Sequence, residues 1–231
     1  MKLTKRLFIT RIEGKKIKEK EDVLVTEEKF ILYLNGKEIL SSSCTPANYK
    51  ELLYGFLFSE GIIRKPTDIS SIKSEDNKFW IEAKTIPPSS VIPLDAKFSI
   101  SKDLLFAVAG ECQKRGQLYL STGGTHFVSL CDSSGILNFF EDVSRHHALE
   151  KSIGDAFLKK VELKDKFIFT SSRISLNMLL KVARCNVPIV TSVSAPTFEA
   201  AETAEKLGIC LAGFVRGKRL NIYSHKERIE F

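Results

Sequence analysis

The chain has 231 residues, 43% hydrophobic and 27% charged, with a formal net charge of +7. That is the composition of an ordinary globular protein with ample core. No apolar run approaches the ~18 residues of a membrane span, so no membrane partner is expected. The N-terminal MKLTKRLFITR lacks an apolar stretch of the kind that marks a secretory signal. Five cysteines, odd in number and scattered, read as free thiols of a reducing compartment, and a cytoplasmic location follows. The charge is +5 over residues 1–21, +3 over 214–231 and −1 between. Basic ends without a recognised binding motif give no reason to expect nucleic acid as a partner.

In chain order, KRLFITRIEGKKIKEKED reads as a solvated strand and loop. DVLVTEEKFILYLNGKEIL then carries two apolar runs around Asn35-Gly36, a strong hairpin signal. CTPANYKELLYGFLFSEGII predicts a helix with Thr45 as N-cap and Pro46 in its first turn. Leu52, Leu53, Phe56 and Leu57 share one face, and Gly61 ends it. KFWIEA (78–83) is a strand, and the proline-rich TIPPSSVIPLDAK reads as a linker.

From Ser101 onward the elements alternate. SKDLLFAVAGECQKR is a capped helix, and FVSLCDSSGILNFF a hairpin around Ser134-Gly135. Helices follow at about 144–159, 174–185 and 197–207, with strands at 166–170, 188–193 and 209–214 between them. Strand–helix alternation predicts an α/β protein with helices packed on its sheet. A β-rich N-terminal subdomain over 1–98 and an α/β domain over 99–231 are the expected units.

Ligands of such sheets gather where strands end and helices begin. Gly123, Gly124 and His126 fall at one such junction, Arg145 and His146 at a second, and Arg173 at a third. FVRGKRLNIY adds Arg216, Lys218 and Arg219 around Gly217. Singly each has a bland explanation: a Gly-Gly turn, Arg145 paired with Glu141 or Asp142, a solvated hairpin tip. Together, guanidiniums and open helix N-termini suit a multiply charged anion. No metal ligand set is expected. The four histidines contain no HxxxH pair, and adjacent His146 and His147 point to different helix faces. Cys112 is expected on the apolar side of its helix.

CTPANYKELLYGFLFSEGII, TGGTH, EDVSRHHALEK, SSRIS, VTSVSAPT and GICLAGFVRGKRLNIYSH occur in the order found in the FdhD family of formate dehydrogenase accessory proteins. The chain resembles that family from about VTEEKF to IYSH. The resemblance implies a three-layer α/β/α, cytidine-deaminase-like sheet with a small β-rich N-terminal part, and a homodimer. It implies a sulfurtransferase role: a cysteine of a CxxC loop takes a persulfide from a cysteine desulfurase. The sulfur passes to molybdenum cofactor in its bis(molybdopterin guanine dinucleotide) form, for delivery to formate dehydrogenase. GDP would mimic half of that cofactor. The cofactor-binding segment corresponds to Phe214, Val215, Arg216, Gly217, Lys218 and Arg219.

This chain departs from the pattern in places. The interval TIPPSSVIPLDAKFSISKD, where the paired cysteines belong, has none. Ser144, His147, Ser172 and Asn177 stand where the family has Gly, Asn, Gly and Glu. No catalytic residue is therefore assigned. A sulfurtransferase working through Cys112 or another thiol, and a non-catalytic guanine-nucleotide or cofactor-binding module, stay open beside the accessory-protein reading.

Overall fold

The computed structural model describes residues 2–87, 91–95 and 97–231. Strands β1 (Thr4–Glu13) and β2 (Lys16–Val25) pair antiparallel into a two-stranded ribbon, where the sequence suggested a single strand and a loop. In β3 (Glu28–Leu34) and β4 (Lys37–Cys44) the expected hairpin forms. Asn35 (φ 49°) and Gly36 (φ 80°) both take the left-handed conformation that a primed two-residue turn requires.

Helix α1 (Tyr49–Ser59) begins later than expected, after Asn48, which is left-handed and gives no side-chain cap. Thr45 is therefore not its N-cap. Its hydroxyl instead accepts the Val143 N–H at 3.1 Å, a contact 98 residues away that local pattern cannot reveal. Strands β5 (Ile69–Glu75) and β6 (Lys78–Ala83) complete a sheet of order β4-β3-β6-β5. Leu52, Leu53 and Leu57 of α1 pack there with Phe30, Leu32 and Ile81.

Of the expected linker, Pro88, Ser89, Ser90 and Ala96 lie outside the described residues. Leu94 within it donates its N–H to the Leu207 carbonyl at 2.9 Å. Next come β7 (Ile100–Ser101), α2 (Lys102–Arg115) and α3 (Gln117–Thr122). Ser101 caps α2 by accepting the Leu104 N–H at 3.1 Å. The alternating half consists of β8 (His126–Asp132), β9 (Gly135–Asp142), α4 (Arg145–Leu158), β10 (Phe167–Thr170), α5 (Leu176–Arg184), β11 (Ile189–Ser192), α6 (Phe198–Lys206), β12 (Cys210–Arg216), β13 (Arg219–Ser224) and β14 (Ile229–Glu230).

Strands β8 to β13 form a six-stranded sheet of order β13-β12-β11-β10-β8-β9, while β14 pairs with β7. Strands β10, β11 and β12 are parallel, and β8 and β13 run against them. The two-residue periodicity sends Ile168, Val190 and Leu211 into a core with α4, α5 and α6. Phe167, Phe169 and Ile189 face the opposite way, toward α2. Helices thus cover both faces. The β-rich part and the α/β part meet where α1 crosses α4, and Phe157 of α4 reaches into the N-terminal core.

That crossing needs two glycines. A Cβ on Gly154 would stand 1.9 Å from the Glu51 carbonyl oxygen, and one on Gly55 would stand 1.8 Å from that of Glu150. Gly154→Ala must push the helices apart and is expected to cost about 3 kcal/mol in chemical denaturation. Exposed Gly110 in α2 has nothing near its added Cβ, so Gly110→Ala should stabilise by up to about 1 kcal/mol. Equal stability for the two variants would contradict the close crossing.

Candidate anion-binding site at the strand ends

The parallel strands β10, β11 and β12 end on one edge of the sheet. The antiparallel register brings the start of β8 and the end of β9 to that same edge, with His126 opposite Asp142. Helices α4 and α5 begin there. The loops between are tied by short hydrogen bonds from their own hydroxyls. Thr170 Oγ1 donates to the Phe127 carbonyl at 3.0 Å, Ser171 Oγ accepts the Phe127 N–H at 3.0 Å, and Ser192 Oγ donates to the Ser172 carbonyl at 2.6 Å. Ile174 and Pro196 form a single parallel bridge between the two loops. Most hydroxyls that the sequence offers to a ligand are therefore used to hold the loops.

Others are left over. Among the described residues, His126 Nδ1, Arg145 Nε and Ser175 Oγ are buried without a hydrogen-bond partner. Ser175 is the N-cap position of α5 and Ser144 that of α4, yet neither side chain caps its helix. The first-turn amides of both helices thus keep unsatisfied positive character. Buried donors without acceptors are costly unless something supplies the acceptors. An oxyanion does so.

Charge agrees with this. Burial, and then the nearby Arg145 guanidinium, hold the His126 imidazole below its ordinary range, and the same two causes lower His146. Both rings are thereby kept neutral near pH 7, leaving the positive charge to the arginines. Arg145 does not pair with Glu141 or Asp142, as the bland alternative required. Glu141 accepts the Leu118 and Tyr119 amides at 3.1 and 2.7 Å. Asp142 pairs with Lys151 at 2.6 Å, both side chains being fully buried. Arg173 is exposed at the start of the loop before α5.

The remaining predicted residues are distributed more widely. Gly123 is left-handed and closes α3 by donating its N–H to the Tyr119 carbonyl. Gly124 has a packing reason to be glycine, since an added Cβ would meet Val25 of the ribbon at 2.7 Å. Phe214 sits in a β-bulge with φ 53°, rare for an aromatic residue, and Val215 is buried. Arg216 donates from Nε to the Val193 carbonyl at 3.0 Å and pairs across the Gly217–Lys218 turn with Arg219. Between β12 and β8 lie β11 and β10, so this segment stands three strand spacings, about 14 Å, from His126 along the edge. Lys218 and Arg219 open onto a cleft of about 770 Å³ on the α2 side, with Lys102 and Lys226 among its other walls and Asp103 its one acid.

Sequence reasoning missed Ser175, Lys102 and Lys226. A serine ahead of an apolar helix is a visible capping signal, but only the fold shows its hydroxyl left without a partner. Lys102 and Lys226 lie far apart in the chain, and nothing local announces their meeting.

All five cysteines are free and buried. Burial pushes the Cys44 thiol up to about 11 and those of Cys112 and Cys210 up to about 12, and raises Cys131 and Cys185 further. Cys112 lies in the core between α2 and the sheet, as its helix face predicted. Among the described residues no cluster of His, Cys, Asp and Glu could hold a metal ion. No described helix is long and apolar enough to cross a membrane.

An open α/β sheet with parallel strands ending on one edge belongs to the class of folds whose ligands gather at the strand ends. The sequence model of the FdhD/NarQ family matches residues 25–92 and 83–230, and the chain belongs to that family. It is 33% identical to the sulfur carrier protein FdhD of Bacillus subtilis, over 99% of this chain and 98% of that one. With the FdhD of Wolinella succinogenes it shares 30% identity, over 99% and 90%. The crystal structure of a formate dehydrogenase accessory protein from Desulfotalea psychrophila superimposes with a TM-score of 0.90. That match covers 99% of this chain and 100% of the other at 24% identity, and it supports the fold.

Proposed function

We propose that this chain serves the maturation of formate dehydrogenase in the cytoplasm by holding molybdenum cofactor, in its bis(molybdopterin guanine dinucleotide) form, along the strand ends. One observation carries the reading: Arg145 Nε, Ser175 Oγ and His126 Nδ1, the last a donor in its Nδ1–H tautomer, are buried without partners at or beside two uncapped helix starts. Phosphate oxygens match such donors in charge and number. An elongated dinucleotide also suits an edge whose second basic patch, Arg216 to Arg219, lies several strands away. In calorimetry, Arg145→Ala should weaken GDP binding roughly 10- to 150-fold, the equivalent of about 1.5–3 kcal/mol for a charge-assisted hydrogen bond. The melting midpoint should barely move, because Arg145 has no ion pair to lose. Unchanged affinity would contradict the reading.

The relatives are named sulfur carriers, and on this chain we assign the sulfur step elsewhere. A carrier thiol must ionise to attack a persulfide and must be reachable. Burial pushes the Cys112 thiol far above its ordinary range, so it stays protonated near pH 7. A cysteine desulfurase would then deliver sulfur to the held cofactor without a relay on this chain. After turnover with a desulfurase and isotopically labelled cysteine, mass spectrometry should find all five thiols unmodified. A stable persulfide on Cys112 or any other cysteine would overturn this assignment and restore the carrier role.

The ribbon supports a homodimer. Phe8, Ile12 and Ile17 are 73%, 69% and 70% exposed. Phe8 and Ile12 share a strand face, and Ile17 is paired directly with Ile12. A second copy would cover this strip. Light scattering should give a dimer mass that falls to a monomer in Phe8→Glu/Ile12→Glu; a wild-type monomer at micromolar concentration would refute it.

A further inference from the structure

Behind the first turn of α4, a serine, a histidine and a glutamate are hydrogen-bonded in series. Ser42 Oγ on β4 lies 2.8 Å from His147 Nε2, and His147 Nδ1 lies 2.7 Å from Glu150 Oε2. All three line one cavity of about 470 Å³ between α1, α4 and α5, whose apolar wall is Leu40, Phe56 and Leu180.

The order of these bonds gives each atom a role. Burial alone would raise the Glu150 carboxyl, but the hydrogen bond from His147 and the charge of Lys181, 2.8 Å from Oε1, outweigh it and keep the group ionised. A carboxylate can only accept, so His147 donates from Nδ1, and the neutral ring, the form that acts as a base, presents its Nε2 lone pair to the Ser42 hydroxyl. The Phe30 ring packs edge-on against the imidazole at 5.6 Å and fixes its plane. Ser144 and His146, at the uncapped start of α4, line the same cavity, so the first turn of that helix borders it.

We propose that Ser42 and His147, oriented by Glu150, form a nucleophilic centre that hydrolyses small carboxylic esters with an apolar acyl group. Ser42 Oγ attacks the ester carbonyl carbon while its proton passes to His147 Nε2. The ester C–O bond breaks, and the leaving alkoxide takes that proton and departs as an alcohol. Water then repeats the attack with the same base, releasing the carboxylic acid and restoring Ser42. No external oxidant or cofactor enters. The activity uses none of the three unpartnered donors, although its cavity shares the first turn of α4 with the anion site.

The full chain treated with a fluorophosphonate probe should gain one adduct, mapped to Ser42 by peptide mass spectrometry. Hydrolysis of p-nitrophenyl butyrate should fall about a thousandfold or more in Ser42→Ala and in His147→Asn. Glu150 is a positioning residue, so Glu150→Gln should lower kcat at least about tenfold with KM unchanged. A fall confined to KM would remove it from that role. Should His147→Asn not fold, Ser42→Ala still decides the matter, since it deletes a single oxygen at the cavity wall. No adduct on wild type, an adduct that survives Ser42→Ala, or undiminished hydrolysis by that variant would overturn the proposal and leave these residues as a tie between β4 and α4.

Discussion

A fully buried ion pair decides where α4 begins, and most of the chemistry above follows from that position. Lys151 Nζ meets Asp142 Oδ2 at 2.6 Å and the Thr45 carbonyl at 3.1 Å, while Asp142 also accepts the backbone amides of Thr45 and Ser144. One carboxylate thus ties the end of β9, the first residues before α4 and the segment leading into α1. Removing either charge would leave the other stranded in the core, typically a loss of about 3–5 kcal/mol. With the pair in place, Ser144 is held at the sheet edge in an extended conformation. Its helix then presents Arg145 toward the strand ends and His147 toward β4.

Two different surfaces of one helix turn therefore carry two different kinds of chemistry. Arg145 belongs to the edge where donors lack acceptors. His147 belongs to a closed series of hydrogen bonds in which each member has a partner. The Gly55–Gly154 contact makes the second possible, because only a close approach of α1 to α4 brings Phe56 and Glu60 to the cavity wall opposite His147 and Glu150. Lys181 of α5 closes the network by bridging Glu150 and Glu60.

Much of the architecture was legible because local signals and global fold agree. Asn35-Gly36 makes its hairpin, KFWIEA is a strand over the expected residues, and the alternating helices and strands after Ser101 fall within a few residues of their predicted bounds. Failures came where a residue answers to something distant. Thr45 reads as a helix cap but serves Val143. Residues 5–22 read as one strand and a loop because exposed apolar residues such as Phe8 and Ile12 break the pattern of a half-buried sheet. The candidate site was legible as a set of basic residues and glycines. Its division into the α4–α5 edge and the α2-side cleft was not, since strand order is a property of the fold.

The central claim is that the strand-end donors grip the phosphates of a guanine nucleotide. A crystal structure of the chain grown with GDP tests it most directly. The account predicts phosphate oxygens within hydrogen-bond distance of Arg145 Nε and Ser175 Oγ, at the first turns of α4 and α5. Ordered GDP elsewhere on the molecule, with those donors still unpaired, would contradict it.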